Sequence, residues 1–226
     1  MTAAWEALKK GTNLSDDETL PTSLRHEMEQ VLKGEKQTET IYQLKIELCD
    51  IHPPIWRRVL VPSTISFHQL HLVIQQAMGW LNDHLYEFET KDAIVDIPHP
   101  DDAFIPFQKR KLDAQRTLAK EHLHKEKQKI IYTYDFGDDW KHTITLEKIE
   151  KTAEPLTHPI CLKGKRACPP EDIGGSWGYQ ETLAMLQDDT RKEESEEFFD
   201  WYGGTFDPEY FDLEEANKRL SIVVFV

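Results

Sequence analysis

A chain of 226 residues, 39% hydrophobic and carrying six tryptophans, is long enough to bury a real core, which excludes global disorder. Its formal net charge of −14 opposes any broad contact with nucleic acid, where affinity rests on neutralising phosphates. No apolar run approaches the roughly 18 residues of a membrane span, and the opening Met-Thr-Ala-Ala-Trp-Glu has no basic-then-apolar leader. The expectation is a cytoplasmic protein with no membrane contact. Cys49, Cys161 and Cys168 are an odd, sparse set that fits reduced thiols better than a disulfide framework.

Residues 1–40 read as an N-terminal helical extension. Pro21 with Thr22 or Ser23 opens a helix bearing Leu24, Met28, Val31 and Leu32 on one face, and Gly34 closes it. Residues 41–226 form the main domain. Ile41–Cys49 alternates at period two through Leu44, Ile46 and Leu48, as in a half-buried strand. His52-Pro-Pro54 breaks it, and Ile55–Val61 follows as a second strand; so short a break predicts an antiparallel pair. Arg57 and Arg58 then point to opposite faces, so only one can share a face with the core. The simplest setting for them is an edge strand with surface arginines; in the functional one the arginine off the core face is drawn to a carboxylate or phosphate.

Ser66 caps the next element. Phe67, Leu70, Val73, Ile74 and Ala77 recur at helical spacing, and Gly79 stands where a left-handed terminal residue is wanted. His68 and His71 are neighbours on this helix, with His71 beside the apolar stripe and therefore half-buried. Trp80 to His84 make a polar turn. Strands over 85–90 and 93–97 follow, then a stretch over 98–128 that reads as mostly loop with one short element near Leu112–Leu118. From Gln108 to Lys129 the chain has 8 bases against 3 acids, and from Ala167 to the end 15 acids against 4 bases. The basic stretch reads as a solvated, mobile connector; Lys109–Lys129 is also where nucleic acid would be contacted, if anywhere.

A hairpin over 129–135 and 140–149 comes next, and its turn is the densest patch of chemistry in the chain. Asp135, Phe136, Gly137, Asp138, Asp139, Trp140 and His142 crowd into eight positions. Reversing the chain needs only Gly137 and one aspartate; the other acids and aromatics suggest a built surface. Trp140 and His142 share a strand face, and a carboxylate near His142 suits acid–base work or metal support. Asx-turns are the structural alternative for the aspartates. Cys168-Pro-Pro-Glu-Asp-Ile-Gly-Gly175 is a stiff irregular segment that sets Glu171 and Asp172 between paired prolines and the paired Gly174 and Gly175. Helices over 179–186, 193–202 and 212–220 and a last buried strand over Ile222–Val226 complete the reading. The class is α+β, an antiparallel β-sheet with packed helices.

Cys161 and Cys168 are too far apart in sequence for a zinc knuckle and no second pair exists. There is no phosphate-loop, dinucleotide, zincin or nucleophile-elbow motif. No cofactor is evident. A divalent metal would draw on Asp138, His142, Cys168 and Glu171, with His84 and Asp172 also within the mixed set. A binding module is the leading reading, its acidic and aromatic site drawn from Arg57, Trp80, His84, Asp135, Asp138, Asp139, Trp140, His142, Glu171, Asp172, Gly174 and Gly175. Such a site favours a basic peptide or a cationic ligand. The rival is a metal-assisted hydrolase or nuclease using Asp135, Asp138, His142, Glu171 and Asp172.

Taken in order, Pro53-Pro-Ile-Trp-Arg-Arg58, Leu70-His71, Met78-Gly-Trp80 with His84-Leu85 and Phe88, Tyr134-Asp-Phe-Gly-Asp138 with Trp140 and His142, and Pro169-Pro-Glu-Asp172 with Gly174-Gly175 and Gly178-Tyr179 resemble the plasmid pRiA4b ORF-3-like proteins. Phe206–Asp212 and Asn217 fit as well, so the resemblance spans roughly 40–220. It implies a protein of plasmids, mobile elements and prokaryotic chromosomes. Some relatives are labelled resolvase-like passengers of an insertion element, a role that the acidic C-terminal third here does not suit. Many relatives have cysteine where this chain has Ile173, which removes one thiol from the neighbourhood of Cys168.

Overall fold

The computed structural model describes residues 38–99 and 109–225, so the helix expected over 21–34 lies outside the described residues. Strands β1 (Glu39–Leu48), β2 (Trp56–Pro62), β3 (Tyr86–Glu89), β4 (Ala93–Asp96), β5 (Arg110–Asp113), β6 (Lys129–Tyr134), β7 (Trp140–Thr152) and β8 (Ile160–Lys165) make one sheet. Helices α1 (Phe67–Met78), α2 (Gly175–Leu186), α3 (Lys192–Tyr202) and α4 (Leu213–Leu220) accompany it. The strand order is β5-β4-β3-β6-β7-β1-β2-β8, antiparallel throughout except for the parallel pair β4–β5. This is the expected α+β fold.

Register follows from the period-two pattern. Leu44, Ile46 and Leu48 lie opposite Leu146, Ile144 and His142, and Tyr132 and Tyr134 lie opposite His142 and Trp140. Cross-strand partners share a face, so these residues build one buried layer, to which Val59, Val61, Phe88 and the apolar stripe of α1 belong. The other face is polar. There Arg58 donates through Nε and Nη2 to both oxygens of Glu147, which also accepts from Gln43. A single apolar face with helices on it is the ordinary solution for an antiparallel sheet.

Helix α1 begins and ends where the sequence says. Ser66 Oγ accepts from Gln69 N at 3.1 Å while Gln69 Oε1 accepts from Ser66 N at 3.0 Å, and Gly79 ends the helix at φ 98°. Three expectations are overturned. First, the segment after Lys109 is no solvated connector: β5 pairs with β4, Phe67 N and His68 N donate to Thr117 O and Ala114 O, and Ala114, Ala119 and Leu123 are fully buried. Several of its bases are paired with acids, Lys109 with Glu89, Lys111 with Asp96 and Arg116 with Asp113. Second, Ile222–Val226 forms no strand over its described residues. Ile222 and Val224 are exposed because the sheet edge they would extend is taken by β8 and α4.

Third, β2 is not an edge strand. The pattern of Ile160–Lys165, interrupted by Gly164, carries little strand signal, yet the segment pairs with β2 through a register shift and becomes the edge itself. Helix α4 covers that edge: Asn217 Oδ1 accepts from Cys161 N at 2.8 Å and Asn217 Nδ2 donates to Cys161 O at 3.0 Å. Arg57 is thereby placed on the core face, only 2% exposed. Replacing Ser66 by Ala removes the α1 cap, and equilibrium urea unfolding is expected to show a loss of about 1 kcal/mol with an unchanged m-value.

Candidate functional site

Three loops converge at the end of the sheet where α1 stops, β6 turns into β7 and the 168–175 segment passes. The hydroxyl of Tyr134, the last residue of β6, accepts from Asp83 N at 3.0 Å and His84 N at 3.3 Å. It donates to Glu171 Oε1 at 2.6 Å, and Glu171 Oε2 accepts from Leu81 N at 2.8 Å. Burial and the Glu171 carboxylate together push the Tyr134 phenol well above its usual pKa, so the hydroxyl keeps its proton and its place in the chain. Trp80, stacked on Tyr134 with centroids 5.1 Å apart, donates its Nε1–H to Pro169 O at 2.9 Å.

The turn after α1 is also tied to the core. Tyr132 OH accepts from Gln75 Nε2 at 3.0 Å, so it donates to His71 Nδ1 at 2.7 Å. His71 Nε2–H then donates to Asn82 Oδ1, which fixes the tautomer. Asn82 holds a left-handed φ of 66° at the middle of the turn. His71 is fully buried rather than half-buried and stacks on Tyr86 at 3.7 Å. Burial lowers its pKa to about 4.

The hairpin tip and the 168–175 segment interlock. Asp135 Oδ1 accepts from Gly137 N at 2.9 Å, an Asx-turn, which leaves Oδ2 toward His84. Asp138 Oδ2 accepts from Gly174 N at 3.2 Å. Gly175 has φ 67°, and a Cβ there would lie 2.3 Å from Asp138 O; only glycine lets these two backbones touch. Asp139 pairs outward with Lys141.

The sequence candidates separate into a surface and its support. His84, Asp135, Asp138, Asp139, Glu171 and Asp172 stand on the three loops with the exposed apolar residues Leu81 and Phe136, and the first turn of α2 adds Trp177, 77% exposed. Trp80, Trp140 and His142 lie beneath them and are buried. His142 is no ligand or acid–base group at this surface. Its Nδ1–H donates to Trp140 O at 3.1 Å, its Nε2 has no partner, Trp80 and Tyr132 pack on its ring, and burial lowers its pKa to about 3. Arg57 does not stand on the three loops but lines a cavity with Leu81, Cys168, Glu171 and Asp172, and burial pushes the Cys168 thiol up to about 12.

Asp138, His142, Cys168 and Glu171 therefore do not converge as a metal set. Among the described residues, the group whose ligand atoms lie within 4.8 Å of one another is His84, Asp135 and Asp172. His84 Nε2 is 3.4 Å from Asp172 Oδ1 and 3.8 Å from Asp135 Oδ2. Asp172, at φ 60°, is exposed and Asp135 is buried, an open set of one imidazole and two carboxylates.

The fold recurs in a protein of known structure, and a known family matches the chain. The model of the family described as plasmid pRiA4b ORF-3-like protein matches residues 40–215. The chain belongs to that family. An uncharacterised protein, y4hQ, of Sinorhizobium fredii (strain NBRC 101917 / NGR234) is 36% identical over 189 residues, which is 80% of this chain and 91% of that relative. The crystal structure of a protein of unknown function, MM3350 from Methanosarcina mazei Go1, aligns with TM-score 0.69 at 37% identity, covering 78% of this chain and 97% of that one. The pRiA4b ORF-3-like match spans all three loops. No helix among the described residues is long and apolar enough to cross a membrane.

Two outcomes follow from this geometry. Gly175→Ala must part the hairpin tip from the 168–175 segment, and thermal or urea unfolding is expected to show a loss of more than about 2 kcal/mol. His71 and His142 stay neutral in the folded chain, whereas both take up protons below about pH 6.5 when it unfolds. Stability is therefore complete above pH 6.5 and falls as the pH drops toward 4 for His71 and toward 3 for His142. Each histidine contributes a slope of up to about 1.4 kcal/mol per pH unit. Urea unfolding at pH 7 and pH 5 is expected to show this loss, and His71→Gln to halve the histidine part of it.

Proposed function

We propose that this protein is an intracellular binding module whose loop surface, formed by residues 80–84, 135–142 and 168–179, takes a basic peptide or another cationic ligand. The observation that carries the reading is the separation of roles around Glu171. Its two oxygens hold Leu81 N and Tyr134 OH, while Asp172 and Asp139 remain exposed and the same segments carry the exposed rings of Phe136 and Trp177. Exposed carboxylates next to exposed aromatics favour a cation through ion pairing and contact with the ring face. The acidic C-terminal third adds long-range attraction for such a partner. Three free thiols support an intracellular setting, and the family description supports an association with plasmids.

Titration of the full chain with lysine-rich and glutamate-rich peptides, read by tryptophan fluorescence, tests the reading. The lysine-rich peptide is expected to bind more tightly and to weaken with added salt, and Asp172→Asn with Trp177→Ala to cost about tenfold in affinity. Equal binding of the two peptides, or an unchanged affinity in the double variant, overturns it.

The group His84, Asp135 and Asp172 favours a second reading, a metal-assisted hydrolase or nuclease. A divalent cation at about 100 times its Kd is expected to add roughly 2.7 kcal/mol of stability, lost in His84→Ala. No shift with Mg²⁺, Mn²⁺, Zn²⁺ or Ca²⁺ removes that reading.

A further inference from the structure

Next to the loop surface, β2, the end of α1 with the turn after it, the chain between residues 167 and 172, α3 and α4 line an open cavity of about 540 Å³, a volume suited to a small molecule. Arg57 lines it and is only 2% exposed. A guanidinium so buried ordinarily meets a carboxylate, because an unpaired charge away from water is costly. Arg57 meets none among the described residues. Its Nε donates to Ala77 O at 3.0 Å, and its Nη1 to Trp56 O at 2.9 Å and Lys165 O at 3.0 Å. The Phe211 ring covers the guanidinium with its centroid 4.5 Å from Cζ. Among the described residues Nη2 has no partner, yet it is not among the sealed polar atoms that lack one, namely Gln75 Oε1, Trp140 Nε1, His142 Nε2 and Tyr179 OH. It keeps accessible surface, and the cavity is what Arg57 lines.

The acids of the cavity do not answer this charge. Glu171 is held by Leu81 N and Tyr134 OH, Asp212 accepts from Glu215 N at 2.8 Å, Glu215 pairs with Arg219 at 2.6 Å, and Asp172 faces His84. Burial lowers the Arg57 pKa; the Cys168 and Cys161 thiols act against that, and Arg219 adds positive charge that lowers it a little further. The opposite wall is aromatic, with Trp201 and Tyr210 about half exposed toward solvent. The geometry is purposeful at its base too: a Cβ on Gly164 would lie 2.5 Å from Phe211 Cζ and 2.8 Å from Arg57 Cδ, so Gly164 permits the stacked pair.

We propose that this cavity binds a small molecule with one oxyanion head group and a planar apolar body, the head group held by Arg57 Nη2 and the body lying on Trp201 and Tyr210. A carboxylate and a phosphate present the same acceptor oxygens to the guanidinium. The rim carboxylates set against polyanions, which confines the ligand to a single small anionic group. The cavity shares Leu81, Glu171 and Asp172 with the loop surface, but this inference does not rest on the cation-binding reading.

Nuclear magnetic resonance titration of the full chain with phenylacetate, phenyl phosphate, phenylacetamide and phenethylamine tests it, reading the Arg57 Nε–H and the indole N–H signals. Saturable shifts of Arg57 and Trp201 are expected with one or both anions, with the neutral amide and the amine at least about tenfold weaker. The better of phenylacetate and phenyl phosphate then names the head group. Arg57→Lys is expected to abolish the preference for anions. Since that variant also loses carbonyl partners, Trp201→Ala, which leaves the core intact, supplies an independent arm and is expected to weaken anion binding several-fold. Trp177→Ala, which does not line the cavity, is expected to leave anion binding unchanged whatever it does to cationic peptides. Equal binding of amine and anion, anion shifts confined to residues outside the cavity, or no saturable shift with either anion overturns the proposal.

Discussion

One hydroxyl holds the loop end of this molecule together. Tyr134 OH stands at the end of β6, and a phenol offers one proton and two lone pairs. It accepts from Asp83 and His84 and donates to Glu171, so the turn after α1 and the 168–175 segment are both tied to the same sheet position. Because both the burial and the carboxylate hold the proton on oxygen, the arrangement does not depend on pH in the neutral range. Everything exposed around it, His84, Asp172, Phe136 and Trp177, is displayed on backbone that these bonds have placed. Loops that carry chemistry commonly need such anchoring, because short connections have no core of their own.

A second brace reaches the same turn from below. Gln75, Tyr132, His71 and Asn82 form a directional chain of hydrogen bonds from α1 through β6 and back to the turn. Each link of it is directional once His71 carries its proton on Nε2, although Gln75 Oε1 stays buried without a partner, and such linked bonds in a low-dielectric interior hold the turn rigidly. The consequence is a division of labour among histidines. His71 and His142 serve the interior as neutral groups, and His84 alone of the three meets carboxylates at the surface.

The two faces of Glu171 lead to opposite electrostatics. Toward the hairpin tip the exposed groups are acids and aromatic rings. Toward α3 and α4 the deepest charged group is Arg57, held only by backbone carbonyls and a ring. The 168–172 segment takes part in both, and its two prolines stiffen a stretch that presents Pro169 O to Trp80 and lines the cavity alongside it.

Much of the fold was legible in the residue pattern because its signals are local. Ser66, Gln69 and Gly79 bracket α1 by their own hydrogen bonds and dihedrals, and the period-two runs of Ile41–Leu48 and Lys129–Tyr134 declare their buried faces. Arg57 and Arg58 could be assigned to opposite faces for the same reason. The density of acids and aromatics at 135–142 and 168–175 marked the loops that meet, whereas which of those residues face solvent was not legible. Trp140 and His142 sit in the richest stretch of the sequence and are buried, since a strand alternates and their parity falls inward. Strand β8 escaped notice because its pairing with β2 is long-range and its own pattern is weak, and with it went the cavity, whose walls come from four distant parts of the chain. Local chemistry thus determined the elements, their faces and the loops worth attention. Only the tertiary structure decided the neighbours, because contact between Tyr134 and Glu171, or the lack of an acid beside Arg57, depends on how remote segments pack rather than on what each one prefers.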